Sequence, residues 1–454
     1  MKRKLLMIGP FSTRSGYGEH ARDIFNSFYD LDKFEIYIQD TRWGDTPRDA
    51  LKPDNPIHRN IVDCFMSEKR QLTQQPDVCV DVRIPQEFET HGKFNIGITA
   101  GIETDAVSQK WLEGVNKMDL IIVPSEHSKE GFIKSVYDKI QQMPNGQQQK
   151  IGEFKLEKPI EVLFEGFDEN IYKPLNADEI DSEFFDMLNE KVPEKFAYLH
   201  VGQWCKGGYG EDRKDIGKLI KVFFETFIEK SGQVPALILK TSGATYSLID
   251  REDILNKINE IKKQFPSGFK LPNVYLLHGD LSAKEMNYLY NHPKIKAFVS
   301  FTHGEGFGRP LLEASAVGLP VIASNWSGQC DFLDKDYSIL VGGTLDNVPK
   351  SVVWQDIIIE QSRWFNINES EASKALTYAY TEKYQIKERA KKLMTHNRKT
   401  FTLNKMTEKL GSILDEHLKD IPQQVGLKLP KLKLDSNSSK KQKAKIKLPS
   451  LKQV

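Results

Sequence analysis

Residues 303–328 constrain the fold of this chain more than any other part of the sequence. An apolar segment, 296–301, precedes them, and Pro310 stands where the first turn of a helix tolerates a missing N–H. Gly318 ends the predicted helix, and a second apolar segment begins at Pro320. The order strand, glycine-rich loop, helix, strand is one βαβ unit. The stretch therefore predicts an α/β fold with a parallel sheet covered by helices.

The loop of this unit has the features of a site for a phosphorylated sugar. Gly304, Gly306 and Gly308 carry no side chains, so we expect backbone N–H groups to approach a ligand beside the positive end of the helix dipole. Glu305 and Glu313 add carboxylates, which accept hydrogen bonds from paired hydroxyls. A nucleotide sugar offers ribose, diphosphate and sugar together. The alternative is an exposed helix start in which acidic residues are favoured by the dipole.

The same residues carry a family resemblance. The run Glu305-Gly-Phe-Gly-x-Pro-x-x-Glu313-Ala, followed by Gly-x-Pro-Val-Ile-Ala, resembles the signature of family-four glycosyltransferases, also called glycosyl transferases group 1. These are retaining enzymes of GT-B architecture, in which two doubly wound Rossmann-like domains face each other across a cleft and a C-terminal helix crosses back. The resemblance implies transfer of a hexose-type sugar from a nucleoside diphosphate sugar to an acceptor hydroxyl. The departing phosphate oxygen would take the acceptor proton.

The resemblance also implies the donor-side residues. Arg213 and Lys214 follow the predicted strand 196–202, although Gln203 replaces the Arg that is usual directly after this strand. Two cations there would stabilise the charge on a departing diphosphate, and with Glu305 they form the expected catalytic group. A solvated helix start is the alternative, but cations are disfavoured at a helix N-terminus. The donor-binding candidates are Glu313, Gly306, Phe307, Gly308, Leu281 and Gly16.

The N-terminal half begins with a second strand, glycine-rich loop and helix. In the resembled family this loop approaches the donor phosphates or the acceptor, so Tyr17 and His20 become acceptor-side candidates. A tight turn that needs glycine is the alternative. Glu103 is the third acceptor-side candidate, because many relatives carry a His where this chain has Gly101 or Ile102. No aspartate pair with metal-ligating spacing stands near the loop of residues 303–308, so no metal or other cofactor is expected.

Composition sets broader limits. A chain of 454 residues is long enough for two domains, and a net charge of +1 gives no general argument for nucleic acid. Four scattered cysteines without C-x-x-C fit a reducing compartment. The N-terminus reads as a first strand rather than a signal peptide, and no apolar run reaches the roughly 18 residues of a membrane span. We expect a cytoplasmic protein, and a peripheral position on a membrane is the second interpretation.

The pattern divides the chain into five segments. Residues 1–175 are expected to form the acceptor-side domain, 176–194 the interdomain connection and 195–385 the donor domain. Residues 386–420 would be closing helices that pack back on the first domain. The Lys-rich tail, 421–454, is expected to be disordered and solvated. Weak contact of its alternating Lys and Leu with an anionic membrane is the second interpretation, and specific nucleic-acid binding is not expected.

Two other functions remain open at this point. A nucleotide-sugar epimerase or phosphorylase could use the same architecture. A non-catalytic subunit that binds glycan or nucleotide sugar belongs to another class. The intact pair of glutamates and the cations Arg213 and Lys214 count against the subunit, whereas the missing His near Glu103 counts slightly for it. The sequence does not identify the nucleotide base, the sugar or the acceptor, which could be a glycan, a lipid-linked sugar or a protein.

Overall fold

Two parallel six-stranded sheets organise the chain. The computed structural model describes residues 2–143, 148–204, 206–230, 232–243, 245–419 and 421. The helices and strands of the first half are β1 (Arg3–Gly9), α1 (Gly16–Asp30), β2 (Phe34–Asp40), α2 (Pro56–Asp63), β3 (Val78–Val82), β4 (Phe94–Ile98), α3 (Gln109–Val115), β5 (Leu120–Val123), α4 (Glu126–Lys134), β6 (Tyr137–Gln142), β7 (Gln148–Phe154) and β8 (Ile160–Val162).

The first sheet has the strand order β2-β1-β3-β4-β5-β8, and all its pairs are parallel. Every residue of β3 and β5 is buried, as expected for central strands covered by helices on both faces. The first helix begins at Gly16, where the Ser15 side chain accepts a hydrogen bond from the Gly18 N–H and caps the helix. This cap fixes the start of α1, which carries the candidate residues Gly16, Tyr17 and His20.

The second half repeats the design. Its elements are α5 (Ser182–Lys191), β9 (Ala197–Val201), α6 (Ile216–Phe227), β10 (Ala236–Lys240), α7 (Leu248–Lys262), β11 (Val274–Leu277), α8 (Ala283–Asn291), β12 (Ile295–Ser300), α9 (Arg309–Ala316), β13 (Val321–Ser324), β14 (Ile339–Val341), β15 (Gly343–Asn347), β16 (Arg363–Ile367), α10 (Glu369–Thr381), α11 (Lys383–Thr400) and α12 (Leu403–His417). The sheet order is β11-β10-β9-β12-β13-β14, again parallel. In both domains the loops at the carboxyl ends of the strands are the places where an open α/β sheet binds ligands.

The closing helix α12 joins the two halves. It packs against α1, and Thr407 hydrogen-bonds Ser27 there at 2.9 Å. Before this helix, the Phe167 N–H donates to the Phe401 carbonyl at 3.1 Å. The Leu403 N–H donates to the Phe167 carbonyl at 3.0 Å. The prediction of two Rossmann-like domains with a C-terminal helix that crosses back is therefore confirmed.

Three elements of the structure were not predicted from the sequence. Tyr137–Gln142 and Gln148–Phe154 form the antiparallel hairpin of β6 and β7, whose residues are mostly exposed. The connection 176–194 contains α5, and a second hairpin, β15 and β16, follows the donor-domain sheet. Amphipathic alternation is weak in both hairpins, so their sequences resemble polar loops.

Three further predictions concern membrane spans, the Lys-rich tail and the cysteines. Among the described residues, no helix is both long and apolar enough to cross a membrane. The Lys-rich tail lies outside the described residues apart from Ile421. Cys64, Cys79 and Cys330 are unpaired, and Cys205 also lies outside the described part of the chain.

Candidate active site

The glycine-rich loop between β12 and α9 packs directly on the N-terminal domain. A Cβ added to Gly304 would lie 2.0 Å from the carbonyl oxygen of Glu103, and one added to Gly306 would lie 2.1 Å from that of Ala100. Ser125 donates a hydrogen bond of 2.6 Å to the Gly306 carbonyl. We predicted that these two glycines clear a path for a ligand. The structure places the backbone of the other domain against them, so close domain contact also favours glycine at these positions, and their contact with a ligand stays a prediction.

A partly buried group of alternating charges lies beside this loop. Lys214 Nζ donates to Glu305 Oε1 at 2.5 Å, and Arg213 Nη1 lies 3.5 Å from Glu305 Oε2 and 3.2 Å from Glu103 Oε1. The Glu305 side chain is only 8% exposed. Burial alone would raise its pKa, but Lys214 and Arg213 together outweigh burial and hold the pKa below the ordinary value. Glu305 is therefore a carboxylate, and the predicted catalytic trio is brought together with Glu103.

The backbone before α6 fixes the positions of Arg213 and Lys214. Asp215 precedes the helix in a left-handed conformation, with φ of 51°, and its buried carboxylate pairs with Lys218 Nζ at 2.6 Å. The Arg213 carbonyl accepts hydrogen bonds from the His303 N–H at 2.9 Å and the Thr302 hydroxyl at 3.1 Å. The loop that carries Arg213 and Lys214 is thus hydrogen-bonded to the residues that follow β12, and Glu305 belongs to the same segment.

Glu313 lies in a second charged cluster. Tyr290 donates to Glu313 Oε2 at 3.1 Å, and Arg309 Nε lies 4.0 Å from Glu313 Oε1. Arg309 also pairs with three carboxylates of the N-terminal domain: Asp23 at 2.6 Å, Glu19 at 3.4 Å and Glu165 at 4.0 Å. We call Arg309 with these four carboxylates the Arg309 cluster. It links the two domains through one guanidinium.

The acceptor-side candidates line the N-terminal domain near this cluster. Tyr17 shares a hydrogen bond of 2.7 Å with Thr99 and stacks on Trp43 at 4.1 Å between ring centroids. His20 is buried, and its Nδ1 lies 3.8 Å from an oxygen of Glu165. Burial lowers the His20 pKa to about 3, so the ring is neutral.

The remaining donor-side candidates have mixed surroundings. Phe307 is buried and packs on Phe332 at 5.1 Å between centroids, which makes it a core residue rather than an open contact surface. Gly308 adopts φ of 100° at the helix N-cap, a conformation that favours glycine. A Cβ on Gly16 would meet nothing within 4 Å, so the structure offers no steric reason for this glycine. Leu281 is half-buried in the loop after β11.

Sequence reasoning missed several residues of the site. Ser125 was visible only as a helix cap, yet its hydroxyl also reaches Gly306. Arg309 could have been recognised from the sequence, because it is a cation in the first turn of a helix, where the helix dipole disfavours positive charge. A cation at such a position requires a nearby carboxylate partner. Lys240 is buried beside the Leu281 loop, and its ammonium donates to the Gly279 carbonyl at 2.7 Å.

One cluster among the described residues could hold a metal ion. One group with ligand atoms within 4.8 Å of one another consists of Glu161 on β8 with Glu416 and His417 at the end of α12. It lies on other elements than the glycine-rich loop. Metal independence therefore stays a prediction.

The Arg309 cluster gives a testable pH dependence. Burial raises the pKa of Glu165 to about 8 and that of Glu313 to about 7. A carboxyl whose pKa is higher in the folded state binds more protons there, so its stabilisation is present at low pH and is lost as pH rises to the folded pKa. Between pH 6.5 and 8 we expect the free energy of unfolding to fall by up to about 1.4 kcal/mol per pH unit for one such proton. Urea unfolding across this range measures the slope.

Glu165→Gln is the matched variant, because its amide keeps the shape but does not titrate. We expect a shallower pH slope in this variant than in the wild type. Buried histidines such as His20 contribute with the opposite sign at lower pH, but they are present in both proteins and cancel in the difference. Equal slopes would contradict the assignment of raised pKa values to this cluster.

Known proteins with related sequences match parts of the chain. Residues 266–345 match the family model described as Glycosyl transferases group 1. The capsular polysaccharide biosynthesis glycosyltransferase CapM from Staphylococcus aureus is 31% identical over 154 residues, which cover 34% of this chain and 36% of that protein. The chain thus matches about a third of the length of this curated relative.

Solved structures match nearly the whole chain in fold. The Anabaena protein HepE in complex with UDP-glucose superimposes with a TM-score of 0.57 at 14% identity, covering 91% of this chain and 100% of HepE. Sucrose-phosphate synthase from Thermosynechococcus elongatus has a TM-score of 0.59 at 12% identity, covering 92% and 100%. A trehalose-6-phosphate structure from E. coli bound with UDP-2-fluoro glucose has a TM-score of 0.54 at 13% identity, covering 93% and 100%. The chain therefore has a GT-B fold, and residues 266–345 within it match the model of glycosyl transferases group 1.

Proposed function

We propose that this protein is a retaining glycosyltransferase, of the kind called family four, which moves a hexose from a nucleoside diphosphate sugar to an acceptor hydroxyl without a metal. One observation carries the proposal. Lys214 and Arg213 converge on the buried Glu305 at the point where the glycine-rich loop meets the other domain. A GT-B fold with a group 1 domain is the setting in which such a trio can serve sugar transfer.

The cations would act on the leaving group. As the bond between the anomeric carbon and the phosphate oxygen breaks, negative charge grows on the diphosphate. Arg213 and Lys214 are preorganised by their carboxylate partners, so little reorganisation is needed for them to stabilise this charge. The acceptor hydroxyl attacks from the same face, and its proton passes to the departing phosphate oxygen. Two fixed cations can supply the charge stabilisation for which other enzymes use a metal ion.

The carboxylates would recognise the donor hydroxyls. Glu305 is ionised and can accept hydrogen bonds from the sugar while it orients Lys214. Glu313 would hold the ribose, with Tyr290 and Arg309 fixing its carboxylate. Leu281 and the neighbouring Lys240 would contact the nucleotide base. The complexes of HepE with UDP-glucose and of the E. coli protein with UDP-2-fluoro glucose make UDP-glucose the first donor to test.

The acceptor would bind to the N-terminal domain near Tyr17, Glu103 and His20. Tyr17 and Glu103 offer hydrogen-bonding groups, and Arg213 connects Glu103 to the donor side. The relative CapM is named for capsular polysaccharide biosynthesis, which supports a growing glycan as the acceptor class. Weak contact of the Lys-rich tail with an anionic membrane would suit a lipid-linked acceptor.

A panel of nucleotide sugars tests the proposal. The protein is incubated with UDP-, GDP- and ADP-sugars, with and without glycan acceptors, and free nucleotide is measured. We expect release of nucleotide from one donor class, stimulated by an acceptor and lost in Glu305→Gln. Conversion of the donor into another nucleotide sugar, without release of nucleotide, would indicate an epimerase. Binding without any conversion would indicate a non-catalytic subunit, and either result would contradict the proposal.

A further inference from the structure

A cavity of about 280 Å³ opens on the donor domain between the end of α8, the start of β12 and one face of α11. It lies at the amino end of β12, whereas the glycine-rich loop follows the carboxyl end of that strand. The proposed active site and this cavity are therefore at opposite ends of the same strand. Tyr290, which lines the cavity, also donates to Glu313, but the lysines of the cavity take no part in the proposed sugar transfer.

Four lysines line the cavity: Lys296, Lys383, Lys387 and Lys391. The last three are spaced four residues apart on α11, so their side chains lie on one face of the helix, where like charges at this spacing destabilise a helix. Lys391 pairs with Glu388 at 2.6 Å. Among the described residues that line the cavity, none carries a carboxylate. The cavity therefore holds an excess of positive charge.

Lys296 distinguishes the cavity from a row of exposed lysines on a single helix. It extends from β12, a different element, and is only half exposed. Burial lowers its pKa, and the nearby charges of Lys387 and Lys383 lower it further. The ammonium groups of Lys383 and Lys387 thus both repel that of Lys296, and an anion placed between them would relieve this repulsion.

The walls restrict which anions fit. Met394, Val317 and Leu319 form apolar sides, and Gly318 and Pro320 belong to the tight turn that follows α9. The small, half-open cavity suits a compact anionic group better than an extended polymer, whose charges would need a continuous basic track. A phosphate carries nearly two negative charges and three acceptor oxygens, enough for one hydrogen bond from each of three ammonium groups.

We propose that this cavity is a binding site for a phosphate group, presented either by a free phosphorylated small molecule or by the headgroup of an anionic lipid. The ligand would bridge Lys296 on the sheet to Lys383 and Lys387 on α11. The site is separate from the diphosphate site at Arg213 and Lys214.

Isothermal titration with inorganic phosphate tests the site in the full-length protein. The test variant is Lys383→Ala/Lys387→Ala, and the matched control is Lys392→Ala/Lys399→Ala, which removes two exposed lysines from the same helix outside the cavity. Charged hydrogen bonds lost from two lysines should weaken binding by roughly tenfold or more in the test variant only. The site at Lys214 is intact in both variants, so any phosphate bound there cancels in the comparison. Equal affinity in both variants would overturn the proposal for free phosphate.

Sedimentation with lipid vesicles tests the second source. Vesicles of phosphatidylcholine alone are compared with vesicles that also contain phosphatidylglycerol, and the Lys-rich tail is present in every variant, so its contribution cancels. Weaker binding of the test variant to the anionic vesicles alone would assign the ligand to a lipid headgroup. If neither phosphate nor vesicle binding distinguishes the test variant from the control, the proposed site does not exist.

Discussion

Replacing Lys214 by methionine is expected to reduce sugar transfer by roughly a hundredfold or more, the effect typical of losing one fixed group that stabilises a transition-state charge. Lys214 is the closest cation to Glu305 and would face the departing diphosphate. The variant should also be less stable, because Glu305 stays buried with only the more distant Arg213 as counter-charge. Removing one partner of a buried pair costs up to about 3–5 kcal/mol. Nucleotide release and urea unfolding measure the two effects.

A double variant separates catalysis from stability. Lys214→Met/Glu305→Gln removes both charges, so it should recover much of the stability lost in the single variant but none of the transfer activity. Lys221→Met is the control on the same part of the chain, since its ammonium pairs with Glu225 and Glu369 outside the site. Full activity of Lys214→Met, or recovery of activity in the double variant, would show that Lys214 has no catalytic role.

Gly306→Ala is expected to abolish transfer by keeping the domains apart. The added methyl group would lie 2.1 Å from the Ala100 carbonyl oxygen, and this is backbone, which cannot rotate away as a side chain can. The contact lies between the domains, so each domain should fold normally. The two domains could not, however, pack together as they do in the structure. We expect a larger radius of gyration by small-angle scattering and loss of nucleotide release.

Gly217→Ala is a useful comparison for this variant. Its added methyl group would lie 3.3 Å from the ring of Tyr209, which is 43% exposed and can move. We expect an unchanged radius of gyration and nearly normal activity in this protein. Gly306→Ala with the dimensions and the activity of the wild type would refute the role of Gly306 in domain closure.

The sheet elements were predictable because their signals are local. Buried strands such as β3 read as short apolar runs, and Pro310 and Gly318 mark the start and the end of α9. Ser282 with Glu285 three residues later is the sequence pattern of a capping box, and the structure contains both of its hydrogen bonds. Such features depend on residues within a few positions of one another, so the sequence determines them without knowledge of the rest of the fold.

The contacts between the domains were not predictable in the same way. Arg309 meets Asp23 and Glu165 only because two separately folded sheets dock in one particular orientation. The same docking explains why Gly304 and Gly306, interpreted as ligand-binding glycines, contact the backbone of the other domain. Convergence of Lys214 on Glu305 could be anticipated from the family resemblance, but the pairing of Arg213 with Glu103 could not.

The configuration of the first sugar product tests the proposed reaction most directly. The donor that releases nucleotide is mixed with the protein, and proton NMR spectra are recorded within minutes, before a released sugar interconverts between anomers. We expect the first product, whether transferred or hydrolysed, to have the same anomeric configuration as the donor, and we expect Lys214→Met to form almost none of it. A first product of opposite configuration, or no conversion of any donor, would contradict a retaining glycosyltransferase.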